Sequence, residues 1–223
     1  MAPFTLLEKA IDYVIEQINY IYVRITNKKY KPLICLSKIL FNIIQNHQVY
    51  KEKKIVYAMK KNDIDYIKNN PVKLTDDIIW HCLQPEYHKF LDLMLNYPAE
   101  KSHEESILSR LIYNQKVGVN IIRKFLDKNP EVDINNGRNE PALCLAVDAQ
   151  EFEKVEFFLK EKKTDIHILN DLALKNAVET GNRQIIRYLL NNGADKSDVQ
   201  PYHIRLGSMN SYLSEELIEL ELV

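Results

Sequence analysis

The sequence predicts an all-α solenoid, a stack of helix–turn–helix repeats in which each unit buries its apolar face against its neighbours. Three observations predict it. Residues 172–195 form one complete two-helix unit joined by a Gly-Asn turn. Its pattern of small and apolar positions returns upstream, with Ala146 under Ala177, Val155 under Ile186 and Leu159 under Leu190 at an offset of 31 in each case. The aspartate that closes the unit recurs as Asp133, Asp165 and Asp195, at spacings of 32 and 30. A unit of this size cannot bury its apolar face alone, so similar units must flank it.

From the N-terminus, Leu7, Ile11, Val14, Ile18, Ile21 and Ile25 recur at alternating spacings of four and three. That stripe predicts a helix, either packed on the first repeat as a cap or pairing with a partner as a coiled coil. Leu36, Leu40, Ile43 and Ile44 put a second apolar face on 33–48, and residues 1–50 together are expected to form an N-terminal helical cap. Residues 58–68 hold the turn of a shortened first repeat. Next, 78–83 and 90–95 pair an inner with an outer helix, with Cys82 in the small-residue slot 64 positions before Ala146. Ile121, Ile122, Phe125 and Leu126 mark another outer helix, whereas Ser106–Tyr113 departs from the inner-helix pattern, so that repeat is identified by its outer helix alone. Residues 141–165 and 172–195 complete the series. In the last, Gly181-Asn182 breaks the chain between helices, Ile185, Ile186, Leu189 and Leu190 form the outer stripe, and Gly193 supplies the positive φ favoured at a helix C-terminus.

The period, the Ala177-Val178 pair, the Gly181-Asn182 turn and the Gly193 end are similar to those of ankyrin repeats, whose period is roughly 33 residues. The resemblance implies an ankyrin-repeat solenoid with about four to five repeats over 51–196 and a capping helix or tail over 197–223. The usual Thr-Pro-Leu-His start is absent except for a partial Pro141-Ala-Leu, so the hydroxyl that ties the inner helix to its turn is missing. Six residues separate Asp165 from Leu172, so short turns are expected in place of extended β-hairpin fingers. The resemblance further implies a protein partner bound on the concave face, at the ends of inner helices and the adjoining turns. By repeat position those sites are Lys60, Lys61, Gln84, Pro85, Gln115, Lys116, Asp148, Ala149, Glu179 and Thr180.

Charge is uneven. The chain carries a net charge of −1, yet residues 24–61 hold ten basic side chains against Glu52 alone, a local +9 that leaves −10 for the remainder. That end could attract an anionic protein or lipid partner or be a solvated face; without helix-turn-helix, RRM-like or zinc-finger spacing, nucleic acid is not expected. Five glycines and eight prolines argue against a long disordered linker. Cys35, Cys82 and Cys144 share no CxxC spacing, and two fall in inner helices where a small thiol packs like alanine. Reduced thiols, with no recognisable signal peptide or membrane span, lead us to expect a cytoplasmic monomer.

No phosphate-binding, hydrolase, metalloprotease, kinase or dinucleotide fingerprint is present, and no cofactor or metal is expected. Cys82 and His88 are the sole candidates for a small enzyme, because His81 and Cys82, adjacent on one helix, point about 100° apart. The expected function is a non-enzymatic protein-interaction module. The tail 214–223, rich in Glu and Leu, resembles the C-terminal export signals of type IV secreted bacterial effectors, which implies delivery into a host cytoplasm and a host protein partner. Leu213, Leu217 and Leu220 fit an ordinary capping helix equally, and the module would then be an endogenous or viral cytosolic adaptor.

Overall fold

The computed structural model describes residues 48–135 and 140–199. The predicted helices over 1–47 and near Asn210–Leu222, Cys35, and the tail 214–223 lie outside them. The chain divides into two compact units at Val72/Lys73.

In the first unit, α1 (Gln48–Lys61) turns back on α2 (Ile64–Asn69) through Asn62, which takes φ +57. Asp63 caps α2, its carboxylate accepting the Tyr66 backbone N–H at 2.9 Å. Ile55, Ala58, Met59 and Ile67 are buried.

The second unit repeats a pair of helices. Inner helices are α3 (Asp76–Cys82), α5 (Glu104–Tyr113), α7 (Ala142–Asp148) and α9 (Ile168–Thr180). Each packs on the next, α3 on α5, α5 on α7, α7 on α9. Outer helices are α4 (Leu91–Met94, entered through a 3-10 turn at His88–Phe90), α6 (Val119–Lys128), α8 (Phe152–Glu156, widening into a π turn at Phe157–Glu161) and α10 (Arg183–Asn191). The described residues contain helices and turns, with one isolated parallel bridge between Leu74 and Ala99 linking successive inter-repeat segments. The all-α repeat fold is therefore as expected.

Small residues set the spacing of the stack. Ala146 and Ala177 are fully buried between neighbouring inner helices, and Cys82 fills the corresponding place in α3. The poorly fitting inner helix around Ser106–Tyr113 is a full ten-residue helix, α5. Its Leu111 and Ile112 occupy the buried pair where α7 has Ala146-Val147 and α9 has Ala177-Val178. The bulk of that pair hid the pattern. Outer helices fill the space behind with Phe90, Phe125 and Phe158, each buried and worth about 1.5–3 kcal/mol relative to exposure.

The recurring aspartates close the units. Each carboxylate accepts the backbone N–H two residues on: Asp133 from Asn135 at 2.9 Å, Asp165 from His167 at 3.0 Å, Asp195 from Ser197 at 2.8 Å. The backbone N–H of Asp165 donates to Asn135 Oδ1 at 3.3 Å and that of Asp195 to Asp171 Oδ1 at 2.9 Å, tying each closing aspartate to the segment before or at the start of its own inner helix. Gly181 takes φ +70 and Asn182 accepts the Ile185 N–H at 3.2 Å, as the Gly-Asn turn requires. Gly193 takes φ +97. Where α7 ends there is no glycine, and Gln150 adopts φ +57 instead.

Other polar groups replace the missing hydroxyl of the repeat start. Asp76, opening α3, takes Ser106 Oγ at 2.7 Å, Arg110 Nε at 3.0 Å and His103 Nδ1 at 3.0 Å, all from α5 or the residue before it. Leu169, Asn170 and Asp171 are left-handed (φ +52, +56 and +55), so regular helix in α9 begins at Leu172. Such backbone costs about 1–2 kcal/mol per residue. Asp171, buried, offsets part of it through its bonds to the Asp195 N–H and the His167 ring at 3.2 Å.

Candidate protein-binding face

Inner helices end on a row of polar positions. In α7 the buried pair Ala146-Val147 is followed by Asp148 and Ala149; in α9, Ala177-Val178 is followed by Glu179 and Thr180. All four residues are half-buried. Thr180 Oγ donates to the Ala177 carbonyl at 3.1 Å, closing its own helix. Gln84, half-buried beyond the end of α3, donates from Nε2 to the Trp80 carbonyl at 3.1 Å, and Pro85 is exposed.

In α5 the buried pair Leu111-Ile112 is followed by Tyr113, which is 48% exposed. Tyr113 thus holds the place of Asp148 and Glu179. Gln115 and Lys116 are exposed two and three residues farther on, in the turn after the helix, where the Lys116 N–H donates to Asn114 Oδ1 at 2.9 Å. Lys60 and Lys61 are exposed in the last turn of α1, within the first unit.

The structure brings Asp148 together with two groups that repeat alignment does not point to. Asn176 Nδ2 donates to Asp148 Oδ1 at 2.9 Å and to Glu140 Oε1 at 3.0 Å, bridging α9 to both ends of α7. Burial raises the Asp148 carboxyl; Asn176 and a hydrogen bond from Glu140 pull it down, and the Glu179 charge pushes it up, leaving it above its ordinary value. Burial and the Asp148 charge likewise raise Glu140, against the Asn176 bond. The Tyr113 phenol is raised by burial and by the charges of Asp148 and Glu140. Tyr113, Glu140, Asp148, Asn176 and Glu179 therefore belong to one electrostatic neighbourhood. Asn176 had a sequence signal, a polar residue between buried Leu174 and Ala177. Glu140 had none, because it falls between repeats.

Catalytic chemistry finds little support at the cysteines. Cys82 is fully buried and burial pushes its thiol up to about 12, as burial and the Glu140 and Asp148 charges do for Cys144. Neither forms the thiolate that nucleophilic attack needs near neutral pH. His81 Nδ1 is engaged with the Asp77 carbonyl at 2.8 Å, and no group of three or more His, Cys, Asp or Glu among the described residues could hold a metal ion. A groove of about 350 Å³ runs along the outer helices, lined by Val119, Glu153, Glu156, Phe157, Lys160 and Glu161. Glu156 is paired with Lys160 at 2.7 Å, and Glu161 with Arg123 at 2.7 Å. No helix among the described residues is long and apolar enough to cross a membrane.

Residues 108–200 match the family model for ankyrin repeats, in three copies. The chain matches no curated protein and no solved structure.

Proposed function

We propose that the chain, whose residues 108–200 match three ankyrin repeats, binds a protein partner through the ends of its inner helices, since repeats of this kind generally mediate contact between proteins. The observation that carries the proposal is the run of Tyr113, Asp148 and Glu179 at equivalent positions of α5, α7 and α9, with Glu140 behind it. An exposed tyrosine, its phenol raised by partial burial and by the charges of Asp148 and Glu140, fits a partner that presents Lys or Arg, since tyrosine supplies contact area at low entropic cost and complementary charge fixes register. Gln84, Gln115, Lys116, Ala149 and Thr180 border this strip or extend it as polar contacts.

The partner is sought by affinity capture from a host lysate with the intact chain. Tyr113→Ala and Glu179→Lys should each release it with unchanged thermal melts, while Glu153→Lys on the outer helices should retain it. Retention by both inner-helix variants would exclude this face.

The finer reading is that the protein is a type IV effector acting inside a host cell. Its support is the Glu- and Leu-rich sequence 214–223, which resembles an export signal. Removing 214–223 from a reporter fusion should abolish delivery from a bacterium with the secretion machinery. Undiminished delivery would reject that segment as the signal, and no delivery of the intact fusion would favour an endogenous or viral adaptor.

A further inference from the structure

Helix α1 carries Lys51, Lys53, Lys54, Lys60 and Lys61 against Glu52 alone within its 14 residues. Its apolar side is already used, since Ile55, Ala58 and Met59 are buried. A flank of the helix presents Lys54, Tyr57 and Lys61 at i, i+3 and i+7, one continuous stripe, and Tyr50 lies one turn before Lys54. Lysine and tyrosine alternate along it and interact in pairs: Lys54 Nζ lies 5.4 Å from the Tyr50 ring centre and Lys61 Nζ 5.7 Å from that of Tyr57. Tyr57 is nonetheless 58% exposed, and Ile64, opening α2, is 41% exposed. The arrangement is a row of ammonium groups around an exposed aromatic side chain.

We propose that this Lys/Tyr face of α1 docks an acidic protein segment, a run of Asp or Glu with an apolar side chain that packs on Tyr57. Charge complementarity selects the acid, and the exposed ring supplies the contact that a purely charged surface lacks. A lipid surface fits less well. An interfacial helix binds by inserting its apolar side, and that side of α1 is buried in the protein. A single-stranded nucleic acid fits less well too. Its bases stack on a succession of exposed rings, and along this stripe Tyr57 is exposed whereas Tyr50 is half-buried. The proposal does not depend on the inner-helix strip.

The test measures binding of the full chain to four probes by fluorescence: a labelled glutamate-rich peptide containing one leucine, a lysine-rich control peptide, phosphatidylcholine vesicles containing phosphatidylserine, and a single-stranded DNA oligonucleotide. The glutamate-rich peptide should bind best, with affinity falling as salt rises. Reversal of Lys54→Glu with Lys61→Glu should weaken it by about tenfold or more, chiefly through the association rate. Tyr57→Ala should weaken it severalfold while leaving the salt dependence unchanged. Should the double reversal impair folding, Lys54→Gln with Lys61→Gln removes the charge more gently and should give the same ranking. Peptide binding that ignores both kinds of variant, or stronger binding to vesicles or DNA, would overturn the proposal.

Discussion

At the scale of single residues, the pair Glu140 and Asp148 makes the fold sensitive to acid in a defined direction. Both carboxyls sit above their ordinary values, so their ionised forms suit the folded chain less well than the unfolded one. The stability they contribute is complete below the ordinary carboxylate range and is lost as pH rises through the elevated folded values. Asp76 has the opposite sign. Burial pushes it up, but the bonds from His103, Ser106 and Arg110 and the Arg110 charge outweigh that, so its contribution is lost as pH falls through a lowered value. Asp148→Asn should therefore remove part of the gain on mild acidification and leave the acid-limb loss due to Asp76 in place. Denaturant midpoints measured from pH 7.5 downward check this, and an unaltered pH profile in Asp148→Asn would show that the bridged pair is energetically silent. The sequence made Asp148 visible because it follows Ala146-Val147 in register with Glu179. It could not show the bridge, because Glu140 stands outside the repeat frame and Asn176 acts across helices.

At the scale of elements, legibility followed side-chain size. Repeats with alanine in the buried pair, α7 and α9, could be placed to the residue, including the turn at Gly181-Asn182 and the positive φ at Gly193. In α5 the same positions hold Leu111 and Ile112, so the inner helix around Ser106–Tyr113 was legible only as a departure from the repeat pattern. Size is also what the next substitution tests. Ala177 is fully buried where α9 packs on α7, and Ala177→Leu should overpack that contact by about 1–3 kcal/mol. Thermal or urea denaturation reads the loss directly. A melt identical to wild type would mean that Ala177 does not set the helix spacing. The inter-repeat turns were legible as short but not as left-handed: nothing in Leu169-Asn170-Asp171 announces three positive φ angles, which rest on Asp171 reaching across to the Asp195 N–H.

At the scale of the whole molecule, a stack in which each inner helix packs on the next distributes stability as local units plus neighbouring interfaces. Ile79 in α3 and Ile186 in α10 are both fully buried, at opposite ends of the second unit's helix series. Ile79→Ala and Ile186→Ala should each cost about 2–5 kcal/mol and combine additively to within about 0.5 kcal/mol. Calorimetry of the two single variants and the double variant gives the coupling. A coupling well beyond that margin would point to a single undivided core. The overall class was legible in the sequence because such a stack repeats its chemistry at a fixed period, which local patterning records; polar ties between units leave no such record.

One of those ties turns a lysine into a clock. Lys154, on α8, is 2% exposed, and its ammonium donates to the Ile112 carbonyl at 2.7 Å and the Asn114 carbonyl at 2.9 Å, at the end of α5. Burial lowers its pKa, against the Glu151 charge, so proton loss comes more readily there than at a surface lysine. An acylating reagent still cannot reach the nitrogen while α8 and α5 stay in contact. Acetylation of Lys154 should therefore lag behind that of exposed Lys60 and Lys61 and advance at the rate at which the two repeats part. Followed by mass spectrometry, that single slow amine would time the breathing of one joint in the stack without any label being introduced.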